Sequence, residues 1–239
     1  MTSKSAWQSL QPRDGASGCW YDIAAGDFAG RPALFLDRDG VIIEDTHYLS
    51  RPADMRMLAG APEAIARCNR LGIPVIVVSN QSGIGRGLYG WADFAAVQAA
   101  LSSALMRAGA RLDAILACAH HADAQAPFNI ADHPWRKPNP GMIVAAGERM
   151  KLDLSRSLIV GDRASDIAAG RAARLAGGIL ISPSGDDAEY GAANCGCPRL
   201  LVADAENGER DLFRRSIETC AHTDTSEPGD DNGAGVQQP

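Results

Sequence analysis

Short, wholly apolar runs alternate along this chain with longer stretches whose apolar positions recur every three or four residues. Residues 33–36 and 73–78 are runs of the first kind, as strands buried on both faces require; the proline at 74 stands near the start of its run, where a strand tolerates one. Residues 112–118, 157–160 and 178–181 read as further strands despite Asp113 and Ser157, and 199–202 suggests a sixth. Between them lie helical patterns. One opens at Ala61-Pro62-Glu63, turns Ile65 and Leu71 inward and ends at Gly72. A second carries the stripe Trp91, Phe94, Val97, Leu101, Leu105 and closes at Gly109, a core face by its spacing. A third runs from an Asn139 N-cap to about Met150, a fourth over 165–175 and a last over about 206–220. Strand and helix alternate throughout, which predicts an α/β fold: a doubly wound parallel sheet with helices on both faces.

Three stretches fall outside this alternation. Residues 1–30 are glycine-containing and aperiodic, an irregular extension whose Trp7, Trp20, Tyr21 and Phe28 suggest docking onto the body. Residues 119–139 form a long loop with histidines and prolines, the kind that is functional or disordered. Residues 221–239 are too polar to bury a core and read as a disordered tail. The body is then one domain over 31–220.

Composition narrows the picture. The chain has 239 residues, 46% hydrophobic but only 5% aromatic, which suits α/β layers better than an aromatic-rich sandwich. A net charge of −6 argues against a nucleic-acid backbone as partner. No run approaches the roughly 20 apolar residues of a membrane span, and the first residues lack a signal peptide's apolar core, so cytoplasm is the expected location. Six scattered cysteines do not resemble a secreted disulfide framework.

In a parallel sheet, ligands bind beyond the carboxyl ends of the strands, so what stands at each end carries the chemistry. The first strand runs into Asp37-Arg38-Asp39-Gly40. Two acids at i, i+2 share a face, and such a pair calls for a neutralising cation or a held proton. By itself the hexapeptide 35–40 fits an Asp/Gly turn equally well. The second strand ends in Ser79-Asn80-Gln81-Ser82, the third feeds the loop that reaches Arg136-Lys137-Pro138, and the fourth ends in Gly161-Asp162-Arg163. A cation site beside an anion site is what phosphoryl transfer needs.

This order of motifs resembles the haloacid-dehalogenase-like (HAD) phosphatase superfamily. Asp37-Arg38-Asp39-Gly40 matches its first motif, Ser79 the second, Lys137 the third, and Gly161-Asp162 with Asp166 the fourth. More narrowly, Ser79-Asn80-Gln81-Ser82-Gly83-Ile84-Gly85-Arg86-Gly87 and Arg136-Lys137-Pro138-Asn139-Pro140-Gly141-Met142 look like the branch of the D-glycero-D-manno-heptose-1,7-bisphosphate and histidinol-phosphate phosphatases. The resemblance implies a Mg²⁺-dependent phosphomonoesterase acting on a small phosphorylated metabolite, a heptose bisphosphate first and histidinol phosphate as the alternative. It implies Asp37 as nucleophile, Asp39 as acid and base, and Ser79 and Lys137 on the phosphoryl oxygens. The metal would rest on Asp37, Asp39 through its main-chain carbonyl, and Asp162. Substrate contacts would come from Asp45, Tyr48, Asn80, Gln81, Ser82, Arg86, Arg136 and Arg163, while Asp166 could contact the metal or brace the following helix. Partners beyond the metabolite are expected to be neither nucleic acid nor membrane, and the protein a monomer or small homo-oligomer. A phospho-receiver module and a non-catalytic phosphate-binding protein are the readings from other classes; the motif order and the intact chemical positions speak against them.

Two departures shape the expectation. The gaps from Asp37 to Ser79 and from Ser79 to Lys137 leave no room for a large cap domain beyond one βα unit each. Many members of the branch hold a structural zinc through Cys-x-His and Cys-x-Cys. Here Cys118-Ala119-His120 keeps the first half, but the second reads His133-Pro134-Trp135. A structural Zn²⁺ is therefore expected to be absent, a remnant of Cys118, His120 and His133 being the alternative.

Overall fold

A computed structural model describes residues 17–181. Trp7, the strand expected at 199–202, the helix at 206–220 and the tail lie outside the described residues. Six strands form one sheet: β1 (Cys19–Ile23), β2 (Leu34–Leu36), β3 (Val75–Asn80), β4 (Ala114–Cys118), β5 (Leu158–Gly161) and β6 (Gly177–Leu180). Their spatial order is β1-β4-β3-β2-β5-β6. All neighbours run parallel except β1, which pairs antiparallel with β4.

The helices are α1 (Ala61–Arg70), α2 (Ser82–Gly85), α3 (Trp91–Arg107), α4 (Gly141–Met150) and α5 (Ala164–Ala172). Alternation along the strands assigns them to two faces. Leu34, Leu36, Val75, Val77 and Ile115 join one core with Ile65 of α1 and Phe94, Val97, Leu101 and Leu105 of α3. Phe35, Ile76, Val78 and Leu116 join the other with Met142, Ile143 and Ala146 of α4 and Ile167 of α5. The stripe read from the sequence is thus core.

Topology places the site. From β2 the chain winds outward through β3 to β4, then returns to the other side of β2 as β5. The carboxyl end of β2 is therefore the switch point, where diverging loops open a crevice. Asp37 is the first residue beyond it, its N–H still donating to the Val160 carbonyl of β5 at 2.9 Å.

Three details differ from the sequence reading. Part of the extension is ordered: β1 pairs with β4 over five residues, from Cys19↔Cys118 to Ile23↔Ala114. Only Trp20 of its side chains is fully buried, stacked on Trp91 at 5.5 Å, so the segment shows no apolar alternation. The glycine-rich loop contains the one-turn helix α2. Pro140, not Asn139, is the N-cap of α4; the Asn139 amide donates to Asp132 Oδ1 (2.8 Å) and His133 O (3.1 Å). No described helix is long and apolar enough to cross a membrane.

Candidate active site

Lys137 is the hub. The residue is 3% exposed, and its ammonium lies 3.1 Å from Asp37 Oδ1, 2.6 Å from Asp166 Oδ1 and 2.7 Å from the Val78 carbonyl it donates to. An ammonium has three N–H donors, and three oxygens surround this one. Its backbone is held as firmly: Asn80 accepts from Lys137 N and donates to Lys137 O, each at 3.0 Å. The end of β3 thereby fixes a lysine 57 residues further along. Burial disfavours the Lys137 charge, but Asp37 and Asp166 outweigh it and hold the amine above its ordinary range.

Asp37, Asp162 and Asp166 place carboxylate oxygens within 4.8 Å of one another. Burial, countered by Lys137 and reinforced by Asp166, pushes the Asp37 carboxyl up. Asp162 is pushed up to about 6 by burial, then by the charges of Asp37 and Asp166. Its buried Oδ1 has no hydrogen-bond partner, and the nearest cation is Arg163 Nε at 3.9 Å. Three acids against one lysine leave an excess of negative charge that a hard, oxygen-seeking divalent cation would offset, so the donor set fits Mg²⁺. The approach is close: Gly40 has φ +79, and a Cβ there would collide with the Asp162 carboxylate. Asp166 also braces α5, its Oδ2 accepting from Arg163 N at 3.0 Å, so it serves the helix and the lysine together.

Asp39 is held apart from this group. Arg38 binds both its oxygens, with Nη2 2.9 Å from Oδ2, and Gln81 Nε2 donates to it at 3.0 Å. Arg38 is 1% exposed, with its guanidinium 5.3 Å from the Phe94 ring centroid. Gln81 uses its whole carboxamide: Nε2 donates to Asp39 and to Ser79 Oγ (2.8 Å), while Oε1 accepts from Arg38 and from Tyr89 OH (2.6 Å). Because Ser79 Oγ accepts from Gln81, its own O–H is left to donate. Asn80 and Gln81, expected among the substrate contacts, both have their amides engaged by protein groups.

The remaining expected contacts gather at the rim. Asp45 Oδ2 accepts from Arg163 Nη2 at 2.9 Å. Arg86 donates to Tyr48 OH at 2.7 Å and to Asp123 at 2.6 Å. Tyr48 itself has φ 58, in the left-handed region, and a Cβ at Gly83 would meet its ring and that of Tyr89. Arg136 is turned to the His120 carbonyl at 2.9 Å, and Ser82 opens α2. Arg38, Tyr89 and Asp123 complete these networks without standing among the residues expected; only Arg38 carries a sequence signal, by its place between the two acids.

The loop over the site does not fit the zinc arrangement that the resemblance implies. His120 is not a ligand in waiting: Nε2 lies 2.6 Å from Ser17 O and Nδ1 3.2 Å from Phe128 O. Sγ of Cys118 does approach His133, but the third member of the cluster is Cys19 from β1. His133 Nδ1 already accepts the Trp135 N–H at 3.1 Å, and Trp135 supplies no donor atom where a fourth ligand is needed.

Comparison with known proteins agrees with this geometry. A HAD-hydrolase-like family model matches residues 134–183. A D-glycero-beta-D-manno-heptose-1,7-bisphosphate 7-phosphatase of Mesorhizobium japonicum is 55% identical over 150 residues, 63% of this chain and 69% of that protein. A second, from Rhodopseudomonas palustris, is 37% identical over 62% of this chain and 82% of its own length. Among solved structures, a HAD-like phosphatase from Mesorhizobium loti superposes with a TM-score of 0.75 at 42% identity, covering 86% of this chain and 94% of that one. The D,D-heptose 1,7-bisphosphate phosphatase of B. bronchiseptica, solved with magnesium and phosphate, superposes at 0.55 with 33% identity over 62% of this chain and 79% of its own.

Proposed function

The chain belongs to the heptose-bisphosphate phosphatases of the HAD superfamily, and on that membership and the strand-end geometry we propose that it is a Mg²⁺-dependent phosphomonoesterase releasing the 7-phosphate of D-glycero-D-manno-heptose 1,7-bisphosphate. The observation that carries the reading is the buried Asp37 carboxylate, 3.1 Å from Lys137 and beside the unpartnered oxygen of Asp162.

In this reading Asp37 attacks phosphorus in line; the new P–O bond to its carboxylate forms as the bond to the sugar oxygen breaks, giving an aspartyl phosphate. Asp39 protonates the departing alkoxide, then takes a proton from the water that releases inorganic phosphate. The Arg38–Gln81 network holds the Asp39 carboxylate at the mouth of the crevice for both transfers. The free O–H of Ser79 donates to a phosphoryl oxygen, and the Lys137 charge offsets the negative charge that shifts onto the group. A magnesium ion, when bound, would be held by Asp37, Asp162 and the Asp39 main-chain carbonyl, and would offset their charge and the phosphate's. Asp45 with Arg163, Tyr48 with Arg86, and Arg136 are the rim groups through which the sugar and its second phosphate would be read.

The reading is tested by phosphate release, with and without Mg²⁺, over a panel containing heptose 1,7-bisphosphate and histidinol phosphate. A large preference for histidinol phosphate, or turnover indifferent to a chelator, would overturn it. A second prediction follows from Asp162. Its folded-state pKa of about 6 lies above the ordinary 3.8, so its contribution to stability is full below the ordinary value and is lost as pH rises through about 6. A cation that binds the ionised carboxylate reverses the loss. The rise in Tm on adding Mg²⁺ should therefore be larger at about pH 7.5 than at about pH 5, and Asp162→Asn should shrink it at the higher pH, read by differential scanning calorimetry.

A further inference from the structure

Beyond the phosphatase site, the edge of the sheet holds a pair of thiols that the proposed reaction does not use. Cys19 of β1 stands opposite Cys118, the last residue of β4. Ala119 N donates to Gly18 O at 2.8 Å and Ala24 N to Asp113 O at 2.9 Å, one register step beyond either end of the pairing. Those two pairs are hydrogen-bonded, and in an antiparallel ladder hydrogen-bonded and non-hydrogen-bonded pairs alternate. Counting inward from either end makes Cys19 and Cys118 a non-hydrogen-bonded pair. In such pairs the Cα atoms lie about 4.5 Å apart and the side chains are closest, within the span of about 4.4–6.8 Å that a disulfide bridges. The two sulfurs and a ring nitrogen of His133 lie within 4.8 Å of one another, and Cys118 Sγ is 3.8 Å from His133 Nδ1.

We propose that Cys19 and Cys118 are a dithiol modification site, oxidised by low-molecular-weight disulfides to a cross-strand disulfide that ties β1 to β4 where the loop of residues 119–139 leaves β4. The division of labour follows from exposure. Cys19 is partly exposed and Cys118 is buried, so the external disulfide meets Cys19 first. The Cys19 thiolate attacks one sulfur of the small disulfide and expels one small thiol. The Cys118 thiol gives up its proton as it attacks the Cys19 sulfur, expelling the second small thiol. Two electrons pass from the dithiol to the small disulfide, and the two protons end on the two released thiols.

Cys68 supplies the internal control. It is buried in the core with its thiol held up by burial, as Cys118 is by Cys19 and by burial; what Cys68 lacks is a partly exposed cysteine paired beside it, so it should stay unmodified while the pair reacts. The test uses the full chain, incubated with glutathione disulfide, quenched in acid, alkylated and mapped by peptide mass spectrometry. The expected result is a Cys19–Cys118 linked peptide that forms at least about tenfold faster than any adduct on Cys68 and disappears with dithiothreitol. The oxidised protein should melt higher than the reduced one. A trivalent arsenical, which needs two neighbouring thiols, should be captured one to one by the wild type and released by competing dithiol. Cys19→Ser should abolish both the linked peptide and arsenical capture while leaving phosphate release unchanged. A glutathione adduct that persists on Cys19 without resolution by Cys118, or arsenical capture undiminished in Cys19→Ser, would overturn the proposal. Neither outcome bears on the phosphatase reading, since the variant lies outside that site.

Discussion

Lys137→Ala is expected to lower folding stability by roughly 3–5 kcal/mol, the range for removing one partner from a buried ion pair, and to reduce phosphate release by about a hundredfold or more. The reason is the surroundings of the ammonium. Asp37 and Asp166 are both buried against it, and the Val78 carbonyl takes its third donor. Without the cation, two acids face each other and Asp162 across 4.8 Å or less with nothing between them. Urea denaturation of the chelated protein measures the first effect and steady-state kinetics the second. Lys137→Met, which keeps the stem but not the charge, should behave nearly as badly in both, because charge rather than volume is what the site lacks. Mg²⁺ should recover part of the stability and little of the rate. The cation can offset the carboxylates, but it cannot stand where the lysine charge offsets that of the phosphoryl group.

Asp37→Asn should separate chemistry from folding in the opposite way. A carboxamide cannot form the acyl phosphate, so kcat should fall by at least about 10⁴-fold, the scale on which loss of a covalent nucleophile acts. Stability of the metal-free protein should hold or rise. Burial already pushes the Asp37 carboxyl up, so its charge is unfavourable there, and Lys137 keeps Asp166 at 2.6 Å and Val78 O at 2.7 Å. Calorimetry and phosphate release on the same preparation check both halves. Substantial residual turnover would remove Asp37 from the nucleophile's role, and a collapse in Tm would mean that the carboxylate is structural first.

The alternation of apolar runs and helical stripes was enough for the layered α/β fold, because strands buried on both faces and amphipathic helices leave different periodicities in a sequence. Asp37 and Asp162 were legible for a related reason: in a parallel sheet every strand delivers its next residue to the same rim, whereas Lys137, well beyond the end of β4, was legible through its motif. The strand β1 left no such trace. An edge strand that buries one side chain of five has no period, and its place depends on pairing with β4, nearly a hundred positions away.

By itself, then, the sequence determined the order of the elements, the rim on which the acids, hydroxyl and lysine meet, and the absence of a cysteine at Trp135. Only the tertiary structure decided what each polar side chain faces. Asn80 and Gln81 stand in the motif as reasonable substrate contacts, yet folding turns one onto the Lys137 backbone and the other onto Asp39, Ser79, Arg38 and Tyr89. Cys19 meets Cys118 only because β1 closes the edge of the sheet. The physical reason is common to both cases. Periodicity records which residues leave water, whereas a hydrogen bond or a thiol pair is set by a partner distant in the chain, which local pattern does not encode.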